Sequence, residues 1–394
     1  MQSRHLPRPD LWVGAFMIII IMGTALVSPL YPLYQRAWDL TAGEVTRLYV
    51  VYMVGALASL LMLGRLADQF GYRYVMAAAL VLDVIGTVLS MAAPGYTLFC
   101  FGRFLIGIAV SLSTTSGTVG VVSLVPERLR SAAPLMVSLF VGSGFAVGPV
   151  LGGFVGEWAE NPLLAAHVPS IVLLAGALVA LFFLPAVPGR STFSVSSLIP
   201  RLSWTTPENT VRLALACCFP FLGFGIFGFY ASVSPMLIRN FTGLSGPAVT
   251  GLYIGTFLVC ALAVQFGARG IPTRKAAVTA ALLMAVGNLA MAVNLRAGSM
   301  VLFVGGVVIA AIGHGLCFLS STTVLHECAT VENRGGLTAT YWAIGYSGSI
   351  FPLMLLGLAS DRFGTEIAVT GFCSIIVALC LLVALLAWLR GSAR

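Results

Sequence analysis

G-R-L-A-D-Q-F-G-Y-R, running from Gly64 to Arg73, is a small charged island between two apolar segments that are each long enough to cross a bilayer. It holds Arg65, Asp68 and Arg73 in a short connection, with Gly64 where one helix leaves the membrane and Gly71 where the next begins. A reversal this tight between antiparallel helices needs residues without bulk. The acid and the bases can pair with each other or with a helix end, at a boundary where charge is costly. Spacing alone leaves two readings open: a basic loop that only sets topology, or a latch that acts when the helices move.

Outward from the island the chain is almost wholly apolar. Of its 394 residues, 59% are hydrophobic and 9% charged, and the mean hydropathy is +1.01. A soluble protein carries about 25% charged residues, so lipid must replace water around most of this surface. At about 20 apolar residues per crossing, the chain divides into spans. They run from Leu11 to Tyr34, Val45 to Leu63, Tyr74 to Ala93, Thr97 to Leu124, Ala132 to Trp158 and Leu164 to Val187, then from Val211 to Leu237, Val249 to Ala268, Ala276 to Leu295, Met300 to Leu325, Leu337 to Ser360 and Ile367 to Leu389. The first run follows Arg4 and Arg8 as a signal peptide would, but it is too long and lacks a small-residue cleavage site, so it is expected to stay as a span. The fold class is therefore all-α integral membrane, with twelve transmembrane helices.

The one long polar stretch, 188–210, follows the sixth span and separates an N-terminal bundle, 1–187, from a C-terminal bundle, 211–394. With the N-terminus cytoplasmic, fifteen Arg and Lys residues fall on the inner side and five on the outer, which places both termini in the cytoplasm. The net charge of +8 is spread singly through short loops and forms no basic patch, so nucleic acid is not an expected partner. The eight cysteines lie in or at the ends of apolar runs without paired loop spacing, and read as packing residues rather than a disulfide framework.

An internal repeat sharpens the architecture. Val27, Ser28 and Pro29 recur as Val233, Ser234 and Pro235, and Leu40 to Tyr49 (LTAGEVTRLY) recurs as Leu244 to Tyr253 (LSGPAVTGLY). Gly107 with Ser113, Thr114 and Thr115 recurs as Gly315 with Ser321, Thr322 and Thr323, at offsets of 204 to 208 residues overall. A parallel repeat of this kind implies two pseudo-symmetric six-helix bundles, with a substrate path expected between them.

On Gly64, Leu66, Ala67, Asp68, Gly71 and Arg73, the island resembles the loop between helices two and three of the major facilitator superfamily; Gln69 and Tyr72 stand where that family often has basic residues. Two further motifs carry the resemblance. Arg103 and Gly107 match the family's fourth-helix Arg-x-x-x-Gly, whose arginine sits near the coupling site of proton-coupled members. Gly144, Gly148, Pro149, Gly152 and Gly153 match the fifth-helix Gly-x-x-x-Gly-Pro-x-x-Gly-Gly of its antiporters, which implies a hinge and marks exporters, although Leu135 replaces the first glycine of the longer form.

Candidate chemistry follows from buried polar groups and from these matches. An arginine inside a span is costly unless paired or hydrated, so Arg103 is a relay or a side chain snorkelling to the outer interface. Asp83 and His314 are the other main intramembrane ionisable residues, and with Arg103 they form the candidate proton-coupling set. The family's use of spans one, four, seven and ten as cavity lining implies a cavity role for His314 and a supporting one for Asp83. Span one has no acid, unlike several drug exporters of the family. Tyr31, Tyr34, Phe221, Phe224, Tyr230, His314, Trp342 and Tyr346 are candidate substrate contacts, able to stack on an apolar or cationic ligand or to serve as core.

No metal, cofactor or catalytic motif stands out, so the chain is not expected to be an enzyme. The resemblance implies a secondary transporter of the bacterial-type inner membrane working as a monomer. Proton-coupled export of a drug-like molecule or metabolite by alternating access is expected; the alternatives are proton-coupled uptake of a nutrient, and a receptor or scaffold on a transporter fold.

Overall fold

The computed structural model describes residues 6–189, 198–200, 202–330 and 333–390, and every regular element among them is helical. Twelve helices are long and apolar enough to cross a membrane. We number the main ones α1 Pro9–Ala25, α2 Ala42–Leu63, α3 Tyr72–Met91, α4 Tyr96–Leu124, α5 Ala133–Trp158, α6 Val168–Leu181, α7 Thr210–Ser232, α8 Pro247–Gly267, α9 Thr273–Ala297, α10 Met300–Cys328, α11 Arg334–Phe363 and α12 Thr365–Arg390. Their outer faces carry bare apolar side chains, among them Val301 at 81%, Leu355 at 67% and Ile367 at 66% exposure, as a bilayer-facing surface does.

Prolines set where the helices break. The first span is not one helix: α1 gives way to a 3-10 turn, Ser28–Leu30, around Pro29, and helix resumes over Tyr31–Ala37. The repeat copies this break, because after α7 the 3-10 turn Ser234–Leu237 surrounds Pro235. A proline has no N–H to give the preceding turn, so a tighter turn is the local solution. Span six is shorter than its apolar run: a short helix, Pro162–Ala165, precedes α6, which stops at Leu181 ahead of Pro185 and Pro188.

By contact the chain forms two compact units, the first comprising 1–33, 51–200 and 246–255, the second 34–50, 201–245 and 256–394. The first turns of α2 and α8 thus cluster with the unit that holds most of the other half of the sequence. Within each unit the packing scheme is the same. In the first, α1 packs on α4 and α5, and α3 on α4 and α6; in the second, α7 packs on α10 and α11, and α9 on α10 and α12. The polar stretch 188–210 lies partly outside the described residues, at 190–197 and 201. Its described C-terminal part docks on the second unit, where Ser203 donates to the Asn333 carbonyl at 3.1 Å and Thr205 to the Cys328 carbonyl at 2.9 Å.

Candidate functional site

In the first unit, α3 and α4 cross at glycines: a side chain on Gly86 or Gly102 would run into the partner backbone. That close crossing buries the two charged residues beside it. Arg103, next to Gly102, is 1% exposed, and Asp83, one turn before Gly86, is 0% exposed. Arg103 donates from Nη1 to the Thr24 carbonyl on α1 at 3.0 Å, and its guanidinium lies 5.1 Å from the centre of the Tyr52 ring. It does not snorkel. Asp83 and Arg103 interact electrostatically without forming a close ion pair, and both Asp83 oxygens and Arg103 Nε have no protein hydrogen-bond partner. The Thr87 and Ser170 hydroxyls are likewise buried without one. Buried polar groups without protein partners are ordinarily satisfied by ordered water.

In the second unit the matching crossing of α9 and α10, at Gly287 and Gly306, carries no charge. An aromatic cluster occupies this unit instead. Phe224 on α7 stacks on Tyr346 of α11 with ring centres 5.2 Å apart, and meets Trp342 at 6.0 Å and Phe318 of α10 at 5.7 Å. His314, one turn before Phe318, lies 4.9 Å from its ring and 5.3 Å from Phe257. Phe224, His314, Phe318, Trp342 and Tyr346 are all only partly buried, so they share a face that can receive a flat or cationic ligand.

The other expected substrate contacts are not gathered here. Tyr230 is buried and donates weakly to the Gly287 carbonyl at 3.4 Å, a packing role. Phe221 lines a separate apolar cavity of about 370 Å³ with Trp204, Cys217, Cys218, Leu379 and Val383. Tyr31 belongs to the arginine cluster, within electrostatic reach of Arg103, and Tyr34 packs on Trp38 at 4.8 Å.

The charged loop works differently from its spacing. Arg65 and Asp68 make no ion pair with each other, and neither side chain has a hydrogen-bond partner among the described residues. Gly71 takes φ 84°, and a Cβ there would strike the Val187 carbonyl. Tyr72 donates to the Pro185 carbonyl at 2.6 Å and Arg73 to the Phe182 carbonyl at 2.9 Å. Both serve carbonyls that the end of α6 leaves unpaired. Gly64 sits where α2 ends, against its own Leu60 carbonyl.

The α5 glycines serve two neighbours rather than one. Gly144, Gly148 and Gly152 seat α5 on the α1 backbone at Ile18, Met22 and Leu26, whereas Gly153 seats it on Pro247 and Gly251 at the start of α8. Pro149 stands inside α5 without ending the helix.

Sequence reasoning missed Phe318, Phe257, Ser170 and Tyr52. Phe318 was findable, since it lies one turn after His314 on the same helix face. Ser170 and Tyr52 had no signal, because each gains meaning only from the helix opposite. Among the described residues no group of three or more His, Cys, Asp or Glu side chains could hold a metal.

Comparison with known proteins places this geometry. The sequence pattern of the Major Facilitator Superfamily matches residues 11–352. A sugar transporter (ERD6-like 15) of Arabidopsis thaliana is 30% identical over 175 residues, 44% of this chain and 35% of its own. The quinolone resistance protein NorA of Staphylococcus aureus is 23% identical over 213 residues, 52% of this chain and 53% of its own. The chain thus spans from about a third to about half the length of these curated relatives. Among solved structures, a D-xylose-proton symporter superposes with a TM-score of 0.77 at 15% identity, covering 96% of both chains. A human organic anion transporter gives 0.68 at 16% identity, covering 96% of this chain and all of that one. These two likenesses are of fold.

Proposed function

Because this chain belongs to the Major Facilitator Superfamily, we propose that it is a secondary transporter that exports a small, partly apolar molecule in exchange for protons, by alternating access. The observation that carries the reading is the pair Asp83 and Arg103, both shut inside one unit with unpartnered polar atoms. A buried charge pair is expensive, and a purely structural site would close it into a hydrogen-bonded salt bridge. Held apart instead, Asp83 can take up a proton when Arg103 is satisfied elsewhere, by Thr24 and the Tyr52 ring, and release it when the surroundings change.

The aromatic face of Phe224, Phe318, Trp342 and Tyr346, with His314 at its edge, is the substrate contact in this reading. Stacking on such a face is tolerant of ligand detail, which suits a drug-like or metabolite cargo. Matches to drug-resistance proteins support export. The second reading is proton-coupled uptake, favoured by the match to a sugar transporter.

Internal pH in proteoliposomes separates the two. Under an imposed proton gradient, hydrophobic cations, organic anions and sugars are added in turn. Proton movement opposite to substrate flow establishes export by exchange, movement in the same direction establishes uptake, and no movement across the panel overturns proton coupling.

A further inference from the structure

Two carboxylates serve neither the motifs nor the proposed chemistry. Glu157 is in the last turn of α5 and Asp361 in the last turn of α11. With twelve spans, both helix ends lie on the membrane side opposite the chain termini. Glu157 Oε2 accepts the backbone N–H of Ala248, in the first turn of α8, at 3.1 Å. Asp361 Oδ1 accepts the N–H of Gly43, in the first turn of α2, at 2.9 Å, and its Oδ2 accepts the Thr41 hydroxyl at 3.1 Å. Each pair lies within one contact unit: Glu157 and 246–255 in the first, Asp361 and 34–50 in the second.

The resemblance between the two extends beyond the hydrogen bond. One turn before each carboxylate stands a glycine, Gly153 or Gly357, that seats the helix on the same first turn: Gly153 on Pro247 and Gly251, Gly357 on Gly43 and Thr46. The receiving turns also carry glycines where a side chain would strike the carboxylate, Gly246 for Glu157 and Gly43 for Asp361. The seating glycines Gly153 and Gly357 and the carboxylates recur at an offset of 204 residues and the helix starts at 205, within the range of the sequence repeat, whereas Gly43 and Gly246 are not repeat equivalents. A carboxylate facing the free N–H groups of a helix start is electrostatically favoured, and being exposed it is easily broken and remade.

The geometry points to a matched pair of clasps that hold this membrane face closed and open once per transport cycle. The inference rests on the transporter reading for the cycle, although the clasps themselves are geometry. They are unequal in one respect. The start of α2 carries its own capping box, with the Thr41 N–H donating to Glu44 at 2.9 Å and the Glu44 N–H to Thr41 at 3.2 Å. The start of α8 begins Gly246-Pro247 and lacks this box, so it leans more on Glu157.

The test compares Glu157→Ala, Asp361→Ala, the charge-only variants Glu157→Gln and Asp361→Asn, and the double alanine variant, in nanodiscs without substrate. Deuterium exchange is followed at the amides of 41–48 and 246–252. In parallel, a membrane-impermeant maleimide probes a cysteine placed at Val27, a position of 0% exposure beside the repeated break. Each alanine change should speed exchange at its own helix start by about two- to fivefold, Glu157→Ala more than Asp361→Ala, with smaller effects for Gln and Asn. Labelling of V27C should rise about threefold in the single variants and further in the double. Unchanged exchange would overturn the clasps. Faster exchange with unchanged labelling would make them mere helix caps and overturn the gating role. Neither readout needs a substrate or a proton gradient, so failure of the transport assay would be seen separately.

Discussion

The two units share one packing scheme and have opposite interiors. At the α3–α4 crossing, the residue after Gly102 is Arg103 and the residue three before Gly86 is Asp83; at the α9–α10 crossing, the residue after Gly306 is Val307 and the residue three before Gly287 is Met284. All four side chains are buried. Conversely, the ring cluster of Phe224, Phe318, Trp342 and Tyr346 belongs to the second unit alone. Glycines at crossings preserve the backbone contacts that both copies need, while the side chains beside them are free to diverge. One copy has thereby become charged and the other aromatic, which in the proposed function divides proton from substrate.

That comparison breaks most readily at Arg103. Arg103→Ala removes the positive charge that interacts with buried Asp83 and leaves that carboxyl alone in an apolar interior. Substrate-driven proton flux should fall at least about a hundredfold in proteoliposomes. Flux like the parent's would reduce the charged cluster to packing. Asp83→Asn removes the proton carrier but keeps the shape. It should lower proton-driven transport by about tenfold or more while sparing counterflow, in which substrate exchanges without net proton movement.

Changes in the aromatic unit should read out differently. Trp342→Ala or Phe224→Ala should weaken substrate affinity by about five- to twentyfold, the worth of one or two ring contacts, with proton flux at saturating substrate largely kept. A loss of coupling with unchanged affinity would reverse the assignment of the two units. The smallest effect is expected at the loop. Asp68→Asn should slow turnover by about two- to threefold without altering affinity, because the side chain is exposed and has no partner among the described residues, so that it acts in another conformation. A turnover rate equal to the parent's would remove any role as a latch.

The sequence also left the register of the repeat ambiguous by one turn. Matching Gly107 with Gly315 gives an offset of 208 residues, whereas the crossing glycines Gly102 and Gly306 pair at 204. In an apolar helix a shift of about one turn returns the same face, so composition cannot choose between them. The partner helices support both, because Gly107 meets the Tyr52 carbonyl of α2 as Gly315 meets the Ala261 carbonyl of α8, while Gly102 and Gly306 meet Gly86 and Gly287.

By itself the sequence determined the class of the protein. Twelve runs of bilayer length, charges held mostly in short loops and a repeat near 204 residues require a helical membrane protein built twice over, since lipid leaves the backbone no other way to satisfy its polar groups. Arg103 was legible as a charge inside a span, and the motif glycines by their spacing and their resemblance to the family's motifs. Tertiary structure alone decided what those residues meet. That Arg103 reaches Thr24 and Tyr52, that Asp83 remains unpaired, that Phe318 joins Phe224 and Trp342, and that Glu157 and Asp361 find helix starts are outcomes of contacts between distant helices. Helical periodicity reports only that a face is apolar, and lipid and protein neighbours satisfy an apolar face equally well.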